Sequence, residues 1–216
     1  MKVALIGASG FVGKAALKEL VERGHEVVAI VRDTTKVKTG AQVSVVSADV
    51  LNEQELSTAL TGADAVISAY NAGWTNPNLY EEFLQGSKTI QQAVKLAGIT
   101  RLIVVGGAGS LFLSPDKQVI DSADFPEAIK PGARAAKDYL EVLKTEDQLD
   151  WTYFSPAIEM HPGTSGVRKG SYRIGLESPV FDAAGRSILS VEDTAVALVD
   201  ELENAKHIHH RFTAAY

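Results

Sequence analysis

The 216-residue chain contains no cysteine. Disulfide scaffolds, thiolate metal sites and cysteine nucleophiles are therefore excluded, and the composition fits a reducing compartment. Long hydrophobic runs are also absent, and the run nearest the N-terminus, residues 3–6, ends at Gly7. That run is too brief for a signal-peptide core or a membrane span, so we expect a protein of the cytoplasm.

Positive charge is scarce. The chain has 21 Lys and Arg residues against 27 Asp and Glu residues, a formal net charge of −6 at pH 7. It therefore lacks the broad basic surface that attracts nucleic acids and anionic membranes, and we expect a small-molecule partner and neither of those. Local basic pockets remain compatible with this balance. The length favours one domain, residues 1–216. The oligomeric state is left open, since an acidic surface is compatible with a monomer or a homodimer.

Apolar, β-branched segments alternate along the chain with segments of helical period. The predicted strands are 3–6, 25–31, 42–47, 65–68, 102–105 and 152–155, and the predicted helices are 12–23, 53–60, 80–97 and 133–145. Most strands are apolar without alternation, which is typical of a parallel sheet covered by helices on both faces. The order predicts an α/β fold with a doubly wound parallel (Rossmann) sheet and ligands beyond the carboxyl ends of its strands.

Residues 161–190 interrupt this alternation with five glycines and the short strand-like pieces 171–174 and 187–191. A helix over 192–203 and a strand over 211–215 follow. We expect 161–190 to form a small substrate-side lobe near the C-terminus.

Three glycines lie between the first strand and the first helix with the spacing Gly-x-x-Gly-x-x-Gly. Gly7 permits a tight turn, Gly10 lets backbone N–H groups approach a pyrophosphate, and Gly13 lets the helix pack on the strand. The alternative is a plain strand-to-helix turn, but the position before an amphipathic helix favours dinucleotide binding. The residues expected at the phosphates are Gly7, Ser9, Gly10, Phe11, Val12 and Gly13.

Arg32 follows the second predicted strand, 19 residues after Gly13. An acid near this position suits the ribose 2′-OH of NAD, whereas a cation suits the 2′-phosphate of NADPH. Arg32, with Lys36 and Lys38 close behind, therefore favours NADP as the cofactor. Asp33 keeps NAD open, and a third interpretation is that both are solvated loop charges.

Further motifs are spread over nearly the whole chain, at 48–50, 63–68, 104–107, Lys137, 155–157 and 190–195. With the glycine loop they resemble the atypical short-chain dehydrogenase/reductase superfamily, in particular its NmrA-like and flavin reductase (biliverdin reductase B)-like NAD(P)H-binding members. The superfamily also contains NAD-dependent epimerases and dehydratases. The resemblance implies a nicotinamide cofactor and leaves the substrate open.

The resemblance implies that Asp49 accepts a hydrogen bond from the adenine amine, with Val50 beside it. The alternative for Asp49 is a capping turn before the helix at 53–60. The other implied cofactor contacts are Ser68, Ala69 and Tyr70 at the ribose and pyrophosphate, Gly106 and Gly107 at the nicotinamide, and Pro156 and Ala157 at the carboxamide.

Catalysis in the family usually relies on a Tyr four residues before a Lys on one helix. Lys137 fits the Lys position and is implied to bind the nicotinamide ribose, but residue 133 is Ala, and Tyr139 faces another direction. The usual Ser partner is also missing, with Ser110 a weak substitute. His161 is the best candidate proton donor, although an ordinary loop histidine explains it as well.

Epimerisation, dehydration and alcohol oxidation need a positioned base, which an alanine cannot supply. Hydride delivery to a planar acceptor such as a flavin or a quinone needs mainly proximity and orientation. The sequence therefore favours an NADPH-dependent reductase, with a non-enzymatic NAD(P)-sensing regulator as the alternative and a sugar-nucleotide epimerase or dehydratase as a third.

Two other groups of residues stand out. We expect His207, His209 and His210 to be solvated rather than to bind a metal, since no carboxylate pattern accompanies them. The segments with Tyr70, Trp74 and Tyr80, and with 111–113, form either an apolar wall for a planar acceptor or ordinary core.

Overall fold

The computed structural model describes residues 1–216. The strands are β1 (Lys2–Ile6), β2 (Glu26–Val31), β3 (Val43–Ser47), β4 (Ala65–Ser68), β5 (Arg101–Val105), β6 (Phe112–Ser114), β7 (Lys117–Gln118), β8 (Asp150–Ser155), β9 (Arg173–Gly175) and β10 (His210–Ala215). The helices are α1 (Phe11–Glu22), α2 (Glu53–Leu60), α3 (Leu79–Leu96), α4 (Lys130–Leu143) and α5 (Val191–Asn204). No helix combines the length and apolarity that crossing a bilayer requires.

Eight strands form one sheet in the order β3-β2-β1-β4-β5-β8-β10-β9. All pairs are parallel except β10 with β9. The strand order reverses between β1 and β4, so the predicted doubly wound Rossmann sheet is confirmed. In this arrangement a ligand lies beyond the carboxyl ends of β1 and β4, where the loops that follow these strands separate.

The sheet has a buried hydrophobic layer on each face. Leu56, Phe83 and Leu140, from α2, α3 and α4, pack on one face, while Leu20 and Leu198, from α1 and α5, pack on the other. Both faces of the central strands are covered, which explains why these strands are apolar without alternation.

Three segments differ most from the sequence prediction. Residues 187–191 do not form a strand, because the Ser190 side chain accepts a hydrogen bond from Asp193 N and caps α5, and only Ile188 bridges to Glu159. The helix predicted from residue 133 begins at Lys130, with Pro131 in its first turn, where proline is favoured. A separate hairpin, β6 with β7, was not predicted.

The segment 165–170 is fastened to α5 and α1 by charged side chains. The buried Asp193 carboxylate accepts from Lys169 N at 2.9 Å and from Gly170 N at 2.7 Å. Arg168 binds Glu19 of α1 through two hydrogen bonds of 2.8 Å, and Arg23 adds a third to the same carboxylate. This part of the expected lobe is therefore anchored to the two helices on one face of the sheet.

The stability of this anchor is expected to depend on pH. The hydrogen bond from Arg168, against desolvation and with help from Arg23, lowers the pKa of Glu19 from its ordinary value of 4.5. A carboxyl whose pKa is lower in the folded state stabilises the protein above about pH 4.5, and this contribution is lost as the pH falls. We expect Glu19→Gln to lower the free energy of unfolding at pH 7 by about 1–3 kcal/mol.

Urea unfolding at pH 7 and at pH 3.5 to 4.5 measures this effect. The difference between wild type and Glu19→Gln should shrink towards acid pH. The matched control is Glu22→Gln on the same helix, because Glu22 is exposed and 3.7 Å from Lys18. A difference that stays constant with pH contradicts the assignment.

Candidate active site

The glycine loop joins three strands at the carboxyl edge of the sheet. Gly7 has φ +79°, and its N–H donates to Ile30 O at 3.0 Å. A Cβ on Gly7 would lie 2.6 Å from Ala69 O, and a Cβ on Gly13 would lie 2.1 Å from Gly7 O. Two of the three glycines are thus required by backbone approaches that leave no space for a side chain.

The N-terminus of α1 presents free hydrogen-bond donors. The N-cap residue Gly10 has no side chain, and the N–H groups of Phe11, Val12 and Gly13 have no acceptor in the protein. The first turn holds no acidic residue. These amides and the positive end of the helix dipole fit the pyrophosphate of a dinucleotide, whose oxygens would satisfy them. Ser9 lies half-buried in the same loop.

Arg32 and Asp33 differ in their contacts. The Asp33 carboxylate accepts from Thr35 N at 3.1 Å and from Thr35 Oγ1 at 2.6 Å, and these bonds lower its pKa. Asp33 therefore caps the short turn that follows β2. Arg32 is exposed, and its guanidinium makes no hydrogen bond or ion pair. Arg32 is therefore available to a ligand at the end of β2, and Asp33 keeps its second oxygen, 3.7 Å from Lys36 Nζ, available as well.

Asp49 closes a turn after β3. Its Oδ1 accepts from Leu51 N at 3.0 Å, whereas the cap of α2 is Asn52, which accepts from Glu55 N at 3.1 Å. The second oxygen, Asp49 Oδ2, has no partner in the protein. Val50 beside it is buried. The turn interpretation is therefore correct for one oxygen, and the other stays free for an adenine amine.

Tyr70 covers the carboxyl end of β4. Its ring stacks on Phe83 with centroids 5.9 Å apart. The ring also packs against Gly86, where a Cβ would lie only 2.6 Å from it. Burial raises the pKa of Tyr70 to about 12, and its hydroxyl donates to Glu82 O. Tyr70 is therefore a neutral wall residue. Ser68 and Ala69 precede it, with Ser68 buried.

The end of β5 is shaped by Tyr153, which the sequence analysis did not single out. A Cβ on Gly106 would lie 1.8 Å from Tyr153 Cζ, so the space left by this glycine is filled by the ring. Gly106 is therefore required by the ring of Tyr153, and its expected place at the nicotinamide stays a prediction. Tyr153 Oη donates to Ala136 O at 2.8 Å and accepts from Gly107 N at 3.2 Å. Burial raises its pKa, so it stays neutral.

Helix α4 packs against the loop that follows β5. A Cβ on Gly107 would lie 3.4 Å from Ala136 Cβ, and one on Gly109 would lie 3.1 Å from Ala133 Cβ. Lys137 is half-buried and makes no hydrogen bond or ion pair in the protein. Tyr139 is 1% exposed and faces the core, as its helical position predicted.

Ser110 does not replace the missing serine of the family. It is 3% exposed, and its Oγ accepts from Arg211 Nη1 at 2.9 Å. The same guanidinium binds Ser110 O and the Glu177 carboxylate. Ser110 is therefore committed to holding the loop onto β10, and the expectation that it weakly substitutes for the family's serine is corrected to a structural role.

Pro156 and Ala157 directly follow β8 at the carboxyl edge of the sheet, and both are buried. His161 lies further out, exposed, as the N-cap of a short turn in which its Nδ1 accepts from Gly163 N at 3.1 Å. The neutral ring then carries its proton on Nε2. This geometry accounts for His161 as a capping residue, and its role as a proton donor stays a prediction.

A cavity of about 590 Å³ opens beside Lys137, between the first half of α4 and the segment 120–123. Its lining is mainly charged and consists of Ile120, Asp121, Ser122, Ala123, Lys130, Arg134, Lys137 and Asp138. Tyr80 donates to Asp138 at 2.6 Å, and Trp74, 60% exposed, contacts α4 at Gly132. Of these two aromatic side chains, only Tyr80 bonds a residue that lines the cavity, whereas Leu111 is core.

The three C-terminal histidines do not share a ligand position. His207 Nδ1 lies 2.7 Å from Glu201 Oε2, and its ring stacks on Phe212. His209 and His210 each bond a different carbonyl oxygen. The expectation that all three are solvated was wrong for His207. No group of three or more potential ligands is close enough to hold a metal.

The fold, the glycine turn and the free amides of α1 define a nucleotide-binding protein of the Rossmann type. Residues 7–205 match the family model described as NAD(P)H-binding, so the chain belongs to that family. The predicted resemblance to the NAD(P)H-binding short-chain dehydrogenase/reductase superfamily is confirmed.

Three full-length similarities accompany the family match. The uncharacterised protein YwnB of Bacillus subtilis is 39% identical over 216 residues, covering 99% of this chain and 97% of the relative. A candidate epimerase from Bacteroides thetaiotaomicron has a solved structure with TM-score 0.91 and 46% identity, covering 100% of this chain and 96% of that one. A candidate NADH-flavin reductase from Streptococcus pneumoniae has TM-score 0.84 and 38% identity, covering 100% and 99%.

Proposed function

We propose that the protein is an NADPH-dependent oxidoreductase that delivers hydride to a planar acceptor, such as a flavin or a quinone, without a tyrosine acid. The observation that carries the proposal is Ala133, which occupies the position of the usual tyrosine and packs against Gly109. Nearby Tyr139 and Tyr153 are buried, and burial raises the pKa of both. Neither tyrosine is therefore placed to serve as an acid for an alcohol, a ketone or a sugar carbon.

The residues described above would hold the cofactor along the carboxyl edge of the sheet. The amides of residues 11–13 would bind the pyrophosphate, Asp49 Oδ2 the adenine amine and Lys137 the nicotinamide ribose. Bound NADPH would supply the hydride. The protein positions the acceptor. The proton that accompanies the hydride comes from water in the open cavity, because a reduced flavin or quinone takes up a proton from solvent without a dedicated acid.

The similarity to the Streptococcus pneumoniae protein supports this assignment, since that protein is described as a candidate NADH-flavin reductase and is 38% identical over this whole chain. The test is NADPH oxidation, followed at 340 nm, with a flavin or a quinone present. Turnover that depends on the acceptor supports the proposal. An NADP-sensing regulator, which Ala133 suits equally, is indicated instead by tight cofactor binding without turnover against the panel.

The choice of NADPH over NADH rests on Arg32. We expect Arg32→Ala to weaken NADPH binding by about 1.5–3 kcal/mol, the worth of a charge-assisted phosphate contact, and to leave NADH binding nearly unchanged. Calorimetric titration with both coenzymes measures the difference. Lys18→Ala is the matched control, because Lys18 is an exposed cation of α1, 3.7 Å from Glu22, and should leave both affinities unchanged. Equal weakening of both coenzymes refutes the preference.

A further inference from the structure

We propose that the cavity between α4 and residues 120–123 binds an anionic group of the acceptor, so that the preferred acceptors carry a carboxylate or a phosphate at a distance from the ring that is reduced. This inference rests on the proposed function, because it assigns the cavity to the acceptor. It adds the charge of the substrate, which the family match leaves open.

The electrostatics of the cavity differ from those of the whole chain. Its lining has three cations, Lys130, Arg134 and Lys137, against the carboxylates Asp121 and Asp138, whereas the chain carries a net charge of −6. The cations are spaced by four and three residues along α4, a spacing that places them on one face of the helix. Three cations on one face repel one another unless a counter-charge is present.

The lining carboxylates do not fully supply that counter-charge. Asp121 accepts from Gln118 N at 2.9 Å and Asp138 from the Tyr80 hydroxyl at 2.6 Å, so each is turned to a neutral donor. Arg134 and Lys137 have no carboxylate within 4.0 Å.

Lys130 is the only paired cation of the three. It contacts Glu127, whose side chain is 82% exposed, so the pair is open to solvent. Because exposed pairs of this kind are weak, an incoming anion can compete for Lys130 as well.

The cavity lies next to the place where hydride transfer is proposed. Its lining residue Ile120 has its Cβ 3.5 Å from where a Cβ on Gly109 would stand, and Ala133 lies 3.1 Å from the same point. Gly107, two residues earlier, contacts Ala136, the neighbour of Lys137. Lys137, which is proposed to bind the nicotinamide ribose, is itself a lining residue of the cavity.

Size and polarity indicate which part of the acceptor enters. A volume of about 590 Å³ falls within the range of small-molecule sites, but only Ile120 and Ala123 of the eight lining residues are apolar. A planar aromatic ring would bury little of its apolar surface against such a polar lining. A charged tail would gain bidentate bonds from Arg134, which suit a carboxylate or a phosphate.

Matched acceptor pairs test the proposal. FMN and riboflavin share one ring system and differ by a phosphate, and anthraquinone-2-carboxylate and its carboxamide differ by the carboxylate charge. We expect the wild-type protein to show a kcat/KM about tenfold higher or more for the charged member, mainly through KM, because one charge-assisted contact is worth at least the roughly 1.4 kcal/mol of a tenfold change. A preference confined to FMN identifies a phosphate site, and one confined to the anthraquinone carboxylate identifies a carboxylate site.

Arg134→Gln should bring the ratio between charged and neutral members close to one. Lys144→Gln is the control, since Lys144 directly follows α4, pairs with Glu141 at 2.8 Å and lies outside the cavity. It should keep the wild-type ratio. Equal kcat/KM for both members of each pair, or a ratio that Arg134→Gln leaves unchanged, overturns the proposal.

Calorimetric titration of the four acceptors, with and without NADP⁺, separates this inference from the proposed function. Preferential binding of the charged members that Arg134→Gln removes supports the anion site even if no acceptor is reduced, and the reductase assignment then fails alone. Equal binding of charged and neutral members overturns the anion site, while turnover with both would leave the reductase assignment standing.

Discussion

Gly13→Ala is expected to weaken NADPH binding by about 100-fold or more, since two lost charge-assisted hydrogen bonds are together worth about 3 kcal/mol or more. A Cβ at this position would lie 2.1 Å from Gly7 O and 2.9 Å from Ala8 Cα. These are backbone atoms of the turn that β1 leads into, so α1 must move away from the sheet. The amides that face the pyrophosphate then leave their positions.

The same variant should lose about 1–3 kcal/mol of folding free energy through overpacking. Gly98→Ala separates the two effects, because Gly98 has φ +72° with no neighbour within 4 Å and lies in the turn after α3. It should destabilise the fold and keep cofactor affinity. Fluorescence titration with NADPH and thermal melting measure both quantities. Wild-type affinity in Gly13→Ala contradicts the proposed pyrophosphate site.

Strong local signals in the sequence predicted most of the sheet. The apolar run 65–68 matches β4 in full, and 42–47 differs from β3 by one residue. The hairpin at 112–118 escaped notice because its strands have three and two residues and show no periodicity. The strand predicted at 187–191 was wrong although the sequence there also carries a helix-start signal. Ser190 is followed three residues later by Asp193, a pattern typical of a helix N-terminus.

The site was predictable where backbone geometry demands a residue type. Gly7 and Gly13 belong to that class, because close backbone approach excludes every side chain. Tyr153 was missed, since a tyrosine within an apolar strand gives no sign of the glycine it will cover. Arg134 was missed although it lies three residues before Lys137, a helical spacing that places both on one face.

Glu201→Ala is expected to destabilise the fold by about 3–5 kcal/mol, because it leaves a buried arginine without its counter-ion. Arg101, 8% exposed, donates to Glu201 Oε1 at 2.9 Å and to Thr152 Oγ1 at 2.8 Å. His207 N donates to the same carboxylate oxygen at 3.0 Å. Burial removes water from the Arg101 guanidinium and lowers its pKa, although the charge of Glu201 acts in the opposite direction.

The Arg101→Met, Glu201→Leu double variant tests whether the ion pair or the packing provides this stability. We expect it to recover at least half of the loss, because apolar residues of similar volume avoid the desolvation cost of both charges. Arg101 begins β5, at the amino edge of the sheet, so folded protein of either variant should bind NADPH with wild-type affinity. Urea unfolding and NADPH titration provide the two readouts. A double variant less stable than Glu201→Ala contradicts this account. A change in coenzyme affinity also contradicts it, because it would mean that the ion pair at the amino edge is energetically coupled to the coenzyme site at the carboxyl edge.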